Sequence, residues 1–123
     1  MEKILVVEDE DAVRKLTARM LQLLGYETLE AGDGSEALEI CSESADEIDL
    51  IITDMIMPKL DGKQLIEELK KKGHEMKVLF VSGYSADDTV NGQALGLGVA
   101  FIQKPFTREG LARKVGELLG KSD

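Results

Sequence analysis

The residues of this sequence that could do chemistry are mostly acidic, and they follow apolar runs. Glu8 and Asp9 open a run of four acids directly after the apolar residues 4–7, and Asp54 comes directly after the apolar residues 50–53. If the two runs are neighbouring strands, the carboxylates of Glu8, Asp9 and Asp54 converge. Carboxylates that crowd together repel one another and recruit a cation. Because all-oxygen ligands suit Mg²⁺, we predict a site for Mg²⁺, with Mn²⁺ as the alternative ion.

The same acids also have a purely structural explanation. Carboxylates before a helix interact favourably with the positive end of its dipole, and Asp9 or Asp11 could be the N-cap of the helix that follows. Asp54 favours the metal site, because helix capping does not explain a carboxylate at the end of another apolar run.

Two further polar residues also follow apolar runs. Ser82 comes directly after residues 78–81, and Lys104 follows residues 99–102 and precedes Pro105. Alone, the serine would be a turn residue and the lysine a surface charge. Beside carboxylates and a metal ion, however, a hydroxyl and an ammonium group are suited to hold phosphoryl oxygens.

The elements that must position these residues alternate along the chain. Five short apolar runs have the character of buried strands: residues 4–7, 26–31, 50–53, 78–81 and 99–102. Repeated β-α units of this kind predict a parallel sheet with helices on both faces and right-handed crossovers. Ligands bind such sheets at the carboxyl ends of the strands, which is where the candidate residues fall.

Helical periodicity marks the residues expected to face the core. They are Val13, Leu16, Met20 and Leu24 in the first helix, Ala37, Leu38, Ile40 and Cys41 in the second, Leu65, Ile66 and Leu69 in the third, and Leu111, Val115, Leu118 and Leu119 in the last. Gly25, Gly73 and Gly120 are expected to end the first, third and last helices, and Thr107 to cap the last. A fourth helix, opening at Ser85, is predicted to be the most mobile element because three glycines weaken it.

The composition narrows the possible functions. A length of 123 residues predicts one domain, residues 1–123, with a monomer as the default. The net charge of −9 opposes binding to nucleic acid or anionic lipid. No apolar run approaches the roughly 20 residues that span a membrane. The single cysteine, Cys41, is expected to be structural, and it favours a cytoplasmic location together with the lack of a signal-peptide pattern.

Four motifs, in chain order, resemble receiver domains of two-component response regulators. They are Val6-Val7-Glu8-Asp9, residues 53–62 (TDMIMPKLDG), Val81-Ser82-Gly83 and Lys104-Pro105-Phe106. The resemblance covers essentially the whole chain. It implies a doubly wound, flavodoxin-like α/β fold whose five-stranded parallel sheet has the order 2-1-3-4-5 and is flanked by five helices. Residues 80–85 and 103–107 look like the receivers attached to hybrid sensor kinases, which favours an excised domain or a phosphorelay partner.

The resemblance also implies a role for each site residue. Asp54 would accept a phosphoryl group from a histidine kinase or a histidine phosphotransfer protein. Asp9, Asp54 and the backbone carbonyl of Ile56 would bind Mg²⁺ directly, and Glu8 through water. Lys104 would pair with the phosphoryl group. The chain would then be a signalling domain that carries its own phosphotransfer and autodephosphorylation chemistry, rather than an enzyme.

Further residues are expected to transmit and time the signal. Ser82 would move toward the phosphoryl group and Phe101 would rotate inward, remodelling the face of the fourth helix, fifth strand and fifth helix for a downstream protein. Ile56 and Tyr84 occupy variable positions of the family. Their apolar and aromatic side chains predict slower loss of the phosphoryl group than in the fastest chemotaxis-type receivers.

Three other functions are weighed against this one. Residues 9–13 match the nucleophile motif of haloacid-dehalogenase-type phosphatases, but in that family a lysine precedes the final acidic pair, whereas residues 87–88 here precede Lys104. A flavodoxin-like flavin binder would need a first loop rich in Ser, Thr and Gly rather than in acids. A receiver-like interaction module that is never phosphorylated would not need the intact set of Asp54, Ser82 and Lys104.

Overall fold

The computed structural model describes residues 2–44, 47–54, 62–73, 77–82, 99–103 and 107–120. Its strands are β1 (Lys3–Val7), β2 (Glu27–Ala31), β3 (Leu50–Asp54), β4 (Lys77–Ser82) and β5 (Val99–Gln103). Its helices are α1 (Asp11–Leu23), α2 (Gly34–Ser44), α3 (Gly62–Lys71) and α4 (Arg108–Leu118). The helix predicted to open at Ser85 lies outside the described residues, so α4 corresponds to the last helix of the sequence prediction.

The five strands form one parallel sheet in the order β2-β1-β3-β4-β5. This is the strand order that the resemblance implies. The central position of β1 matters most for function. Val7, its last residue, pairs with Ala31 of β2 and with Thr53 of β3, so the carboxyl ends of three strands meet at one edge of the sheet.

In the part of the chain that the structure describes, two helices pack on each face of the sheet. Leu5 and Val7 of β1 pack on the side of α2 and α3, whereas Ile4 and Val6 pack on the side of α1 and α4. Both sides of the strand are therefore buried, which explains why it is continuously apolar instead of alternating. The parallel α/β class predicted from the sequence is confirmed.

Three of the helices bury the residues predicted to face the core. In α2 and α3 the most deeply buried of them are Ala37, Cys41 and Leu65, each with no exposed surface. In α4, Leu111 and Val115 are fully buried, while Leu118 and Leu119 pack at the margin of the core. The helix ends are as predicted: Gly25, Gly73 and Gly120 have positive φ, and Thr107 Oγ1 accepts a hydrogen bond from the amide of Gly110 at 2.9 Å.

The core face predicted for α1 is only partly right, because Met20 packs against the core but Leu16 does not. Leu16 and Leu24 are 56% and 37% exposed, and the other two residues predicted for that face are half-buried. The helix instead buries Thr17, Ala18 and Leu21. Thr17 and Ala18 are small residues, and the Thr17 hydroxyl donates to a carbonyl one turn earlier at 2.9 Å. A polar residue is thus buried at little cost because its hydrogen bond is satisfied.

Among the described residues, none of the helices combines the length and hydrophobicity needed to cross a bilayer.

Candidate functional site

The pairing of β1 with β3 brings the acidic residues together. Because Val7 lies opposite Thr53, the residues that follow them, Glu8 and Asp54, lie level at the edge of the sheet. One carboxylate oxygen from each of Glu8, Asp9 and Asp54 lies within 4.8 Å of the others. The convergence predicted from the sequence is therefore confirmed. Asp54 is itself the last residue of β3 and not the first residue after it.

The spacing of these oxygens is close to what a magnesium ion requires. Mg²⁺ binds oxygen at 2.0–2.1 Å, so two atoms bound directly to one ion lie at most about 4.2 Å apart. A separation of up to 4.8 Å is slightly larger than that limit. The cluster can therefore hold the ion after small side-chain shifts, or with one carboxylate bound through water.

Glu8 is the most buried of the three acids, with 5% of its surface exposed. Its amide donates to the carbonyl of Ala31 at 3.0 Å, and its Oε1 accepts from the amide of Glu10 at 3.3 Å. A buried carboxylate is tolerated only when hydrogen bonds or charges compensate for lost water. Glu8 is thus held in place by its backbone and side chain, whereas Asp9 is exposed at the mouth of the cluster.

Asp54 is half-buried, and the polar residue before it is fully buried. The hydroxyl of Thr53 donates to the backbone carbonyl of Asp54 at 3.1 Å. This bond satisfies the hydroxyl inside the sheet and helps to fix the backbone from which the Asp54 carboxylate projects.

Neither Asp9 nor Asp11 caps α1. The N-cap residue is Glu10, and its side chain makes no capping hydrogen bond. Asp11 lies in the first turn, where its carboxylate accepts a hydrogen bond from Arg14 Nη2 at 2.6 Å. The prediction that one of these aspartates is an N-cap is therefore wrong, and capping does not explain why Asp9 is acidic.

Arg14 is a part of the site that the sequence analysis missed. Its guanidinium group reaches the backbone carbonyl of Glu8 at 2.9 Å, the carboxylate of Asp11 at 2.6 Å and that of Glu30 at 3.2 Å. Burial lowers the pKa of Arg14, but hydrogen bonds and attraction from the two carboxylates outweigh it, so the net shift is upward. The available signal was the spacing of Asp11 and Arg14, three residues apart on one helix.

The remaining predicted site residues are only partly covered by the structure. Ser82 is the last residue of β4 and pairs with Gln103 of β5. The residue before it, Val81, pairs with Asp54 of β3. Phe101 lies in β5, opposite Phe80 of β4. The three other predicted residues, Lys104, Ile56 and Tyr84, lie outside the described residues.

Comparison with known proteins identifies the family. Residues 4–116 match the response regulator receiver domain. This chain is a member of that family. The match covers the carboxylate cluster and, apart from Lys3, all five strands, so the resemblance seen in the sequence motifs is confirmed.

Known receivers resemble this one over nearly its whole length. The sensor kinase CckA of Brucella abortus (strain 2308) is 43% identical over 120 residues, covering 98% of this chain and 13% of the kinase. A crystal structure of the receiver domain from the hybrid histidine kinase CckA superposes with a TM-score of 0.81 at 44% identity, covering 95% of this chain and 98% of that one.

A second solved structure was determined with ligands. The response regulator TrrA from Thermotoga maritima, in complex with Mg²⁺ and BeF, has a TM-score of 0.84 and 33% identity, covering 97% of this chain and 100% of that one. This receiver spans 13% of the sensor kinase and about half the length of several other curated relatives that it matches.

The single cysteine of this receiver lies away from the acidic cluster, within α2. Cys41 has no exposed surface, and burial raises the pKa of its thiol from 9.0 to about 11. Because the thiolate is the reactive form, such a group is inert near neutral pH. This agrees with the prediction that Cys41 is a structural side chain.

Proposed function

We propose that this receiver is a phosphoacceptor switch in which Asp54 takes a phosphoryl group in a Mg²⁺-dependent reaction. The observation that carries the proposal is the cluster of Glu8, Asp9 and Asp54, whose oxygens lie within 4.8 Å of one another at the edge of the sheet. The donor would be the phosphohistidine of a histidine kinase or of a histidine phosphotransfer protein. Membership of the receiver family and the similarity to a hybrid kinase receiver support this class of partner.

The transfer needs little from the protein beyond a nucleophile and a well-placed set of charges. A carboxylate oxygen of Asp54 attacks phosphorus, the bond from phosphorus to the imidazole nitrogen breaks, and its electron pair stays on the leaving histidine. When bound, Mg²⁺ neutralises the negative charge of the phosphoryl oxygens. Asp9, Asp54 and the carbonyl of Ile56 would hold the ion directly, and Glu8, which is buried, would hold it through water.

Three residues would respond to the new phosphoryl group. Lys104 would pair with its negative charge, Ser82 would donate a hydrogen bond to it, and Phe101 would turn inward. The backbone supports this assignment for Ser82, which follows the partner of Asp54 in the next strand. The change would then reach β5 and the helices beside it, where a downstream protein would bind.

The lifetime of the signal would depend on the protein itself. Hydrolysis of the aspartyl phosphate returns Asp54 to its starting state, so the domain passes through cycles without acting on a separate substrate. Ile56 and Tyr84 would restrict the attacking water and lengthen this state.

We also propose that residues 1–123 act as one receiver unit, monomeric before phosphorylation and cytoplasmic. The family match over residues 4–116 supports the single unit. The phosphatase and flavin-binding alternatives lose their support once the receiver family is established. The receiver-like module that is never phosphorylated is the alternative that the following experiment decides.

The test is intact mass after incubation with acetyl phosphate, with Mg²⁺ or with EDTA. We expect the native protein to gain one phosphate only with Mg²⁺, and Asp54→Asn to gain none. The matched control is Asp49→Asn, the same change at the opposite end of β3, where the amide oxygen can still accept the hydrogen bond from the amide of Lys3. This control should be phosphorylated normally. No mass gain under any condition would favour the unphosphorylated module.

A further inference from the structure

Arg14 joins three segments at the edge of the acidic cluster. Its Nη1 donates to the carbonyl of Glu8, its Nη2 to Asp11 at the start of α1, and its Nε to Glu30 near the end of β2. Only 14% of the arginine side chain is exposed. Each of the three nitrogens thus has its own partner, so the guanidinium group is fixed in orientation.

The bond to the Glu8 carbonyl bears directly on the cluster. A peptide group is planar, and the plane that contains the Glu8 carbonyl also contains the Cα atoms of Glu8 and Asp9. Arg14 holds this plane from one side, while the amide of Glu8 is held by the carbonyl of Ala31 at 3.0 Å. These two bonds fix the backbone from which two of the three carboxylates project.

We propose that Arg14 is a positioning residue that sets the cation affinity of the cluster by fixing the peptide between Glu8 and Asp9. The inference rests on the proposed function, since it concerns the same ion. Among the described residues, Arg14 donates hydrogen bonds to the Glu8 carbonyl, Asp11 and Glu30, and the first of these contacts links it to the cluster through the backbone. Asp11 and Glu30 neutralise its charge locally and complete its orientation.

The contact that Arg14 makes and the charge that it carries predict opposite effects of its replacement on Mg²⁺ affinity. A positive charge near the cluster repels Mg²⁺, so its removal by itself would strengthen binding. Loss of the contact with the Glu8 carbonyl would instead loosen the two carboxylates and weaken binding. Lysine keeps the charge, but its single nitrogen cannot reproduce the three-pronged contact of arginine.

The experiment is a Mg²⁺ titration of the purified chain, followed by calorimetry and by the amide NMR shifts of residues 8–10. The variants are Arg14→Lys and Arg14→Met, each of which keeps an aliphatic stem. The controls are Arg19→Lys and Arg19→Met, at an exposed position of the same helix. We expect Arg14→Lys to bind Mg²⁺ about 10-fold more weakly, at the lower end of the loss seen when residues that support metal ligands are removed. Arg14→Met should also bind more weakly than the native protein, but by a smaller factor, because it removes the repelling charge as well. The controls should stay within about twofold.

A second readout uses the metal-free protein. Amide hydrogen exchange at Glu10, whose N–H is bonded to the Glu8 side chain, should be faster in Arg14→Lys than in the native protein. Melting temperatures are measured in parallel, because a general loss of stability lowers that temperature without changing the affinity of the folded protein.

Three outcomes would overturn the inference. Native affinity in Arg14→Lys together with tighter binding in Arg14→Met would mean that charge alone acts. Native affinity in both variants would mean that Arg14 has no role in binding. Absence of Mg²⁺ binding in the native protein would remove the proposed metal requirement as well, which separates failure of the proposed function from failure of this inference alone.

Discussion

The three clustered carboxylates are placed to bind a cation, but their mutual repulsion lowers the stability of the metal-free fold. Like charges a few ångströms apart repel one another when no cation is bound. Glu8 carries the largest cost because it is 5% exposed, whereas Asp9 is open to solvent. Neutralising one of these carboxylates should therefore raise the stability of the metal-free protein and lower its affinity for the metal.

The substitution Glu8→Gln tests whether stability and metal affinity change in opposite directions. The amide keeps an oxygen that can accept from Glu10 but removes one charge, so the metal-free protein should melt higher. We expect a gain of about 1 kcal/mol, or roughly 4 °C for a domain of this size. The same variant should gain less stability from added Mg²⁺, because it has lost a ligand charge. The measurement is thermal unfolding in EDTA and in Mg²⁺.

The control for this comparison is Glu67→Gln, at an exposed position of α3. It should melt as the native protein does under both conditions. A lower melting temperature of Glu8→Gln in EDTA would show that the fold requires the charged form of Glu8, and the interpretation as functional strain would then be wrong.

At the scale of elements, local pattern predicted the strands and three of the helices, but not the orientation of α1. Apolar residues occur on more than one side of that helix, and the predicted set included the exposed Leu16 and omitted the fully buried Leu21. Thr17 and Ala18 are buried although they are small, and the Thr17 hydroxyl is satisfied within the helix. A hydrophobicity pattern shows neither the burial of small residues nor a hydroxyl that is satisfied within the helix.

A pair of substitutions measures the true orientation of α1. Leu21→Ala should lower the free energy of unfolding by about 2–4 kcal/mol, because it leaves a cavity at a fully buried position. Leu16→Gln should change it by no more than about 0.5 kcal/mol, since that side chain is 56% exposed. Urea denaturation of both variants provides the comparison. A larger loss in Leu16→Gln than in Leu21→Ala would contradict the observed face of the helix.

At the scale of the whole molecule, the sequence located the site only under an assumption about strand order. Nothing in the local pattern says that β1 lies next to β3, because the pairs formed by these strands join residues 46 positions apart, as in Ile4 and Leu50. The order came from the family resemblance, and the sheet shows it directly. The contact of Arg14 with Glu30 was missed for the same reason, since it also depends on which strands are neighbours.

The strand order and the proposed switch residues together predict where a signal from Asp54 should travel. Asp54 pairs with Val81 of β4, and the next residue of that strand, Ser82, pairs with Gln103 of β5. A doubly negative group added at Asp54 therefore lies two strands away from the edge strand β5. The other edge strand, β2, is also two strands away, through β1, so the direction of the signal depends on the proposed responses of Ser82 in β4 and Phe101 in β5. Adding beryllofluoride with Mg²⁺, as a mimic of the phosphoryl group, should change the amide NMR shifts of β4, β5 and α4 more than those of β2 and α2.

Two controls separate a conformational switch from a local change in charge. Mg²⁺ alone should shift the signals near Glu8, Asp9 and Asp54 without reaching β5, and Asp54→Asn should not respond to beryllofluoride. If the changes with beryllofluoride also stay within the acidic cluster, the domain would carry a phosphoryl group without changing shape. Its partners would then have to recognise the phosphoryl group itself, because no remodelled face would be available to them.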